Sequence, residues 1–310
     1  MTRGPVICTL FEGTYAIGAA ALINSLVAAG FTGKGYVGVR GALPAWAADV
    51  QKRGGWIGSE GTFCLSFITL HTDWHLANYK PAFMMHILEA LEADACGIIY
   101  FDPDITIKCK WNFFQQWLEC GMMFCEDVNS PMHTTHPRRI IWRRLFPDLL
   151  KDAPATSDSY VNAGFVGVRR QDLKFLQTWL SVIERAAPFT GGPDRWYVNN
   201  SHEPFSPFAA YDQDALNIAL MANIAPVSIV GREGMDFQPG GYTMSHAIGP
   251  TKPWTRGFCK RALVGRAPSL ADRWFVKYVS AGPLKPLNGL QLAIMQADLL
   301  SAKIVSKLIH

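Results

Sequence analysis

A chain of 310 residues, 49% apolar and 17% charged, is long enough to bury a large core as one large α/β domain or two smaller ones. A net charge of +4 is too mild to indicate nucleic acid as a partner. Seven scattered cysteines with no C-x-x-C exclude a regular disulfide framework and point to reduced thiols in the cytosol. No apolar run is long enough to cross a bilayer. Met1 to Pro5 lead straight into a strand-like segment with no signal peptide, so the Asn199-Asn200-Ser201 sequon carries little weight.

In chain order, Val6 to Leu10 read as a first strand, and Tyr15 to Ala29 as an Ala-rich helix closed by Gly30. Tyr36 to Val39 and Phe63 to Leu70 read as strands. Pro81 to Ala93 is a helix feeding the apolar run Gly97-Ile98-Ile99-Tyr100-Phe101. Asp127 to Arg144 read as a loop leading into a basic helix. Tyr160 to Val168 is strand-like, and Asp172 to Ala187 is helical. Pro188 to Pro207 is rich in Gly, Pro and polar residues and reads as a surface excursion. Asp212 to Met221 is helical, and helix dominates beyond Trp254, with breaks near Gly282 and Pro286. Strands alternating with helices of this length predict a largely parallel sheet with helices on both faces. Ligands of such sheets collect beyond the carboxyl ends of the strands.

At one such end stand Asp102-Pro103-Asp104. Residues i and i+2 of an extended chain share a side, and Pro103 biases Asp102 towards extended angles. Two like charges this close beyond a buried strand call for a counter-ion, for which a divalent cation is suited. Alone, the pair also fits an ordinary acidic turn.

Three further signals accompany it. Asn162-Ala163-Gly164-Phe165-Val166 follow a strand start, and Asp212-Gln213-Asp214 open a helix, where carboxylates suit the dipole. His246-Ala247-Ile248-Gly249-Pro250-Thr251-Lys252-Pro253-Trp254 reads H-x-x-G-x-x-K-P-W. With Phe101 to Asp104, this order and spacing resemble the GT-A glycosyltransferases, most closely glycosyltransferase family 8, over Thr9 to Trp254. The resemblance implies a GT-A α/β fold, a Rossmann-like mixed sheet flanked by helices. It places a catalytic domain at 1–254 and a helical C-terminal extension at 255–310 packed on it. It also implies a metal-dependent retaining hexosyltransferase moving glucose or galactose from a UDP-sugar to a hydroxyl acceptor.

By that resemblance Asp102, Asp104 and His246 bind Mn²⁺ or Mg²⁺, a donor set suited to either. Gly249 lets the backbone approach the diphosphate, and Lys252 sets a point charge on it. Lys80 is the basic residue near the donor phosphates and the acidic cluster. Thr9, Leu10 and Tyr15 form the nucleotide-binding start, with the Tyr15 ring stacking on uracil. The chain departs from the family there, carrying Phe11-Glu12-Gly13 where similar enzymes often place Asn or Asp. Asn162 and Ala163 line the sugar pocket, Asp212 binds sugar hydroxyls, and Gln213 lies by the reactive face. Asp214 is either a reserve nucleophile or a structural carboxylate.

Alternatives come from other classes. A sugar-nucleotide-binding scaffold without activity would keep the fold and lose a metal ligand. Asp102-Pro103-Asp104-Ile105-Thr106 also fits the D-x-D-x-T of haloacid-dehalogenase-type phosphatases, but that motif belongs at the first strand and needs a later acidic metal motif. His71-x-x-x-His75 has the spacing of a helical zinc pair but lacks a third ligand. The acceptor class spans saccharides, lipid-linked saccharides and protein hydroxyls, with no nucleic acid. The expected location is cytoplasmic, at the inner face of a membrane if the basic segment 138–144 or the C-terminal helix touches lipid.

Overall fold

β1 (Val6–Glu12) is buried along most of its length, since its apolar residues run continuously instead of alternating. The computed structural model describes residues 4–58, 61–151, 157–196, 206–222, 225–255 and 257–309. The sequon at 199–201, with the rest of 197–205 in the expected excursion after Pro188, lies outside the described residues. α1 (Tyr15–Ala28) follows and ends on Gly30 at φ 81°. β2 (Gly33–Arg40), α2 (Ala45–Lys52), β3 (Trp56–Ile57) and β4 (Phe63–Thr69) come next. α3 (Leu76–His86) runs into a π-helical turn over Ile87–Leu91 and then β5 (Gly97–Phe101). After β5 come β6 (Ile105–Ile107), α4 (Trp111–Cys120), β7 (Met122–Glu126), α5 (Pro137–Leu145) and α6 (Pro147–Leu150). The chain continues through β8 (Val161–Arg169), α7 (Leu173–Thr190), α8 (Tyr211–Met221), β9 (Val227–Val230) and β10 (Met244–His246). It ends with α9 (Phe258–Leu263), α10 (Leu270–Ser280) and α11 (Gly289–Ile309).

Eight strands pair in the order β3-β4-β2-β1-β5-β8-β7-β9, and β6 and β10 form a separate ribbon. The pairings β1–β5, β2–β4 and β7–β9 are parallel, as strand–helix alternation requires. β8, however, runs antiparallel to both β5 and β7, and β3 runs antiparallel to β4. The sheet is therefore mixed.

Two expected boundaries move. α3 begins five residues before Pro81, because the His75 side chain caps it by accepting from the Ala77 amide at 3.2 Å. This also gives His75 a structural task in place of zinc. α7 continues through Pro188 to Thr190 and ends on Gly191 in the left-handed region at φ 84°.

Two compact units share the chain. One comprises Met1–Cys8, His71–Phe101 and Phe114–Arg232; the other comprises Thr9–Leu70, Asp102–Phe113 and Glu233–His310. In the second unit the C-terminal helices build a core around Phe258, Phe275, Val279, Met295 and Leu299, to which Ala21 of α1 and Trp254 contribute. Asn24 of α1 ties this core together, donating to the carbonyls of Tyr278 and Leu284 and accepting from the Leu284 amide. No described helix is long and apolar enough to cross a membrane.

Candidate active site

In the second unit the chain leaves β5 at Asp102, turns with the Ile105 amide on the Asp102 carbonyl (3.0 Å), and enters β6. β6 pairs antiparallel with β10, setting Ile105 opposite His246. The Ala247 amide then donates to the Asp104 carbonyl at 3.1 Å. A three-residue ribbon thus brings together side chains that lie far apart in the chain. His246 Nε2 lies 3.1 Å from Asp104 Oδ1 and 3.9 Å from Asp102 Oδ2.

One ligand atom each from Asp102, Asp104 and His246 can be chosen so that all three lie within 4.8 Å of one another. Adjacent ligands about 2.1 Å from an octahedral ion sit about 3 Å apart, so this spacing fits a Mn²⁺- or Mg²⁺-sized ion. The donor set, two carboxylates and one imidazole, fits as well. The Asp102 side chain is 22% exposed while those of Asp104 and His246 are 4% and 6%, so the group opens to solvent on the Asp102 side. His246 Nδ1 is buried with no hydrogen-bond partner among the described residues, and Phe237 packs on the ring at 5.8 Å.

Lys252 Nζ contacts Asp104 Oδ2 at 2.6 Å and donates to the Ala247 carbonyl at 2.8 Å. Burial alone would raise the Asp104 carboxyl, but the adjacent His246 and Lys252 hold it below the usual carboxylate range. Burial likewise disfavours a charged Lys252, yet Asp104 keeps its pKa above the ordinary lysine value. The lysine expected on a diphosphate is thus already bound to a metal-ligand candidate, with one ammonium proton beyond these two contacts.

Tyr15, at the start of α1, meets Trp254 edge-on with ring centres 5.2 Å apart, and Lys252 Nζ lies 5.8 Å from its ring centre. Tyr15 is 37% exposed. Thr9 and Leu10 are buried in β1, and the Thr9 hydroxyl has no partner among the described residues. Gly249 has φ 91° with open space where a Cβ would stand, so it is required for its backbone angle.

Two residues beyond the expected set belong to this group. A Cβ on Gly18 would lie 2.4 Å from the Pro103 carbonyl oxygen and 2.6 Å from the Trp254 ring. Only hydrogen fits where α1 meets the D-x-D turn. Trp254, the last residue of the H-x-x-G-x-x-K-P-W motif, fills the adjoining space and packs on Phe275 at 5.6 Å. The sequence signal for Gly18 was present: a glycine interrupting an Ala-rich helix costs stability unless something packs against it.

In the first unit, Lys80 is buried with its Nζ 3.0 Å from the Ala163 carbonyl and 3.1 Å from Asp212 Oδ2. Its ammonium lies 5.3 Å from the centre of the Tyr100 ring. Gln213 Oε1 accepts from Asn162 Nδ2 (3.1 Å) and the Ala163 amide (3.2 Å). Asn162 is pinned in turn, donating to Asp127 Oδ2 at 2.7 Å and accepting from the Gly164 amide at 2.9 Å. A carboxylate can only accept and an amide N–H only donate, so both side-chain amides have one orientation. Lys80, Asn162, Ala163, Asp212 and Gln213 thus form one connected group.

Asp214 stands apart from that group in character. It is fully buried, accepts from the Tyr160 hydroxyl at 2.6 Å and from the amides of Ala209 and Ala210 at 2.5 and 3.0 Å. Burial raises its pKa against these hydrogen bonds, and burial followed by the Asp214 charge raises Tyr160 well above the ordinary tyrosine value. Of its two expected roles, the structural carboxylate fits this geometry. The basic helix α5 is also partly structural: Arg139 holds the carbonyls of Ser157 and Ser159, and Arg143 that of Leu150. Asp127 and Tyr160 escaped the sequence reading because neither belongs to a recognisable pattern.

No family model and no curated protein matches the sequence. Solved structures do match its fold. Galactosyltransferase LgtC, in complex with donor and acceptor sugar analogs, superposes with TM-score 0.55 at 15% identity, over 92% of this chain and 98% of its own. An active-site mutant of LgtC gives 0.51 over the same shares at 15% identity. The bifunctional glycosyltransferase WbbM gives 0.53 at 14% identity, over 97% of this chain and 52% of its own.

The chain has the GT-A glycosyltransferase fold. Within that GT-A fold Asp102 follows the fifth strand in sequence and not the first, which removes the position that the phosphatase alternative requires. The acidic group with His246 lies at the end of this strand, where α/β sheets gather ligands.

Proposed function

We propose that the protein is a metal-dependent retaining glycosyltransferase that moves glucose or galactose from a UDP-sugar to a hydroxyl acceptor. The observation that carries this reading is the convergence of Asp102, Asp104 and His246 in a chain with the GT-A fold. In this reading 1–254 is catalytic and 255–310 supports it.

Asp102, Asp104 and His246 hold Mn²⁺, or Mg²⁺ in its place. When bound, the cation offsets negative charge developing on the departing diphosphate. Lys252 directs its remaining N–H towards a diphosphate oxygen, and Gly249 keeps the adjacent backbone clear of side-chain bulk. Thr9, Leu10 and Tyr15 receive the nucleotide, with the partly exposed Tyr15 ring against uracil.

Asp212 and Asn162 engage sugar hydroxyls, the Ala163 side chain leaves room for the ring, and Lys80 holds Asp212 charged and in place. Gln213 has its carbonyl oxygen taken by two donors, so it orients substrate and does not attack it. The reaction is a same-face substitution. The bond from the anomeric carbon to the phosphate oxygen breaks with its electron pair on that oxygen. The acceptor hydroxyl oxygen bonds to the anomeric carbon from the same face and passes its proton to the departing phosphate oxygen.

Acceptors are saccharides, lipid-linked saccharides or protein hydroxyls. Scattered cysteines with no C-x-x-C spacing support work in the reducing cytoplasm. The test is a hydrolysis and binding screen of UDP-, GDP- and dTDP-sugars with and without Mn²⁺. Mn²⁺-dependent turnover of a UDP-hexose is the expected result. Donor binding without turnover would favour a sugar-nucleotide-binding scaffold, failure of every donor to bind would overturn the reading, and release of inorganic phosphate from simple phosphomonoesters would favour a phosphatase.

A further inference from the structure

α11 is apolar on two sides. One side places Met295, Leu299 and Ala302 in the second unit's core. At 100° per residue, Leu290, Ile294, Leu300, Ile304 and Leu308 fall on the other side. They stand in solvent: Leu290 is 72% exposed, Leu300 61%, Ile304 54% and Leu308 81%. This row extends over most of a 21-residue helix, and no described residue covers it. Exposed apolar residues scattered singly need no explanation, but a row along one helix face marks a contact surface.

Charge selects the occupant. Residues 255–310 contain nine Lys and Arg and two Asp, a net of +7 by side chains, while the whole chain carries +4. The rest is therefore −3, so the positive charge is concentrated in this segment. Both aspartates are occupied internally. Asp298 accepts from the amides of Gly257, Phe258 and Cys259, and Asp272 closes a capping box with Ser269. Lys303 and Lys307, both exposed, flank one side of the apolar row. A second copy docked face to face would bring two such positive segments together, which disfavours self-association.

We propose that this face of α11 lies in the plane of an anionic membrane surface. Its apolar side chains enter the acyl boundary, while Lys303 and Lys307 stay at the level of the lipid phosphates. The row spans about 27 Å along one helix with two exposed lysines beside it, the arrangement of a helix lying in an anionic interface. The inference is independent of the catalytic reading, since no residue of the candidate active site belongs to this face.

The experiment is co-sedimentation of the full chain with phosphatidylcholine vesicles, alone or with about one part in four phosphatidylglycerol. The expected result is binding to the anionic vesicles that weakens with added salt. Ile304→Glu with Leu308→Glu should lower the partition coefficient at least about tenfold, and Lys303→Glu with Lys307→Glu should abolish the preference for anionic lipid. These exposed substitutions should leave the melting temperature unchanged, and UDP-sugar hydrolysis in solution serves as a separate readout. No binding to anionic vesicles, or equal binding by parent and Ile304→Glu/Leu308→Glu protein, overturns the proposal. So does a dimer that those substitutions dissociate while vesicles remain unbound.

Discussion

Gly18→Ala separates local helix propensity from the packing on the D-x-D turn. In an exposed helix interior this change stabilises by about 1 kcal/mol, because glycine loses more backbone freedom on folding. At position 18 the new methyl would stand 2.4 Å from the Pro103 carbonyl oxygen and 2.6 and 2.8 Å from two carbons of the Trp254 ring. The nearest approach is roughly 1 Å short of ordinary van der Waals contact. One of the obstacles is backbone and the other is the core tryptophan, so neither yields as a flexible side chain would.

Overpacking of this kind costs about 1–3 kcal/mol, which leaves a net destabilisation of about 1 kcal/mol after the propensity gain. For a chain of this size that lowers the melting temperature by about 1–2 °C. The more telling effect is displacement: Pro103 links the two carboxylates, so moving it should weaken Mn²⁺ affinity about tenfold or more. Thermal unfolding without metal, and Mn²⁺ titration followed by electron paramagnetic resonance, read the two effects separately. A variant that melts higher than the parent and binds Mn²⁺ equally well would refute the packing argument.

Three further outcomes are expected. Asp104→Asn should abolish Mn²⁺-induced stabilisation of the folded chain and with it metal-dependent donor hydrolysis; an unchanged Mn²⁺ titration would remove Asp104 from the ligand set. Lys252→Met leaves the buried Asp104 carboxylate without its ammonium partner and should destabilise the apoprotein by about 3 kcal/mol, partly recovered by Mn²⁺. The pair also sets a pH dependence. Asp104 has a depressed folded-state pKa, so its contribution is present above the unfolded carboxylate value and is lost as pH falls through the folded one. Lys252 has a raised pKa, so its contribution is present below the unfolded lysine value and is lost as pH rises through the folded one. Urea unfolding across pH should show both arms shrink in Lys252→Met. Asp127→Ala removes the acceptor that pins Asn162 and through it Gln213; kcat for donor hydrolysis should fall about 100-fold with a smaller change in KM, and an unchanged kcat would show that Gln213 needs no such support.

The linear chain already contained the alternation of strands and helices, the apolar run ending at Asp102, and the spacing of H-x-x-G-x-x-K-P-W. Each depends on neighbours within a few residues, so backbone geometry and side-chain period make them readable. What the chain alone left open depends on distant partners. The pairing of β6 with β10, not local preference, joins His246 to Asp104. The reversed direction of β8 follows from which strands flank it. Lys80 reads in the sequence as a basic residue near donor phosphates, and only the fold shows it buried on Asp212 and the Ala163 carbonyl. Asp214 gains its partners, the Tyr160 hydroxyl and the Ala209 and Ala210 amides, only in the folded chain. Charge and hydrogen-bonding capacity are properties of residue type, but which charge meets which donor is settled by burial, where an unmatched polar group is too costly to keep.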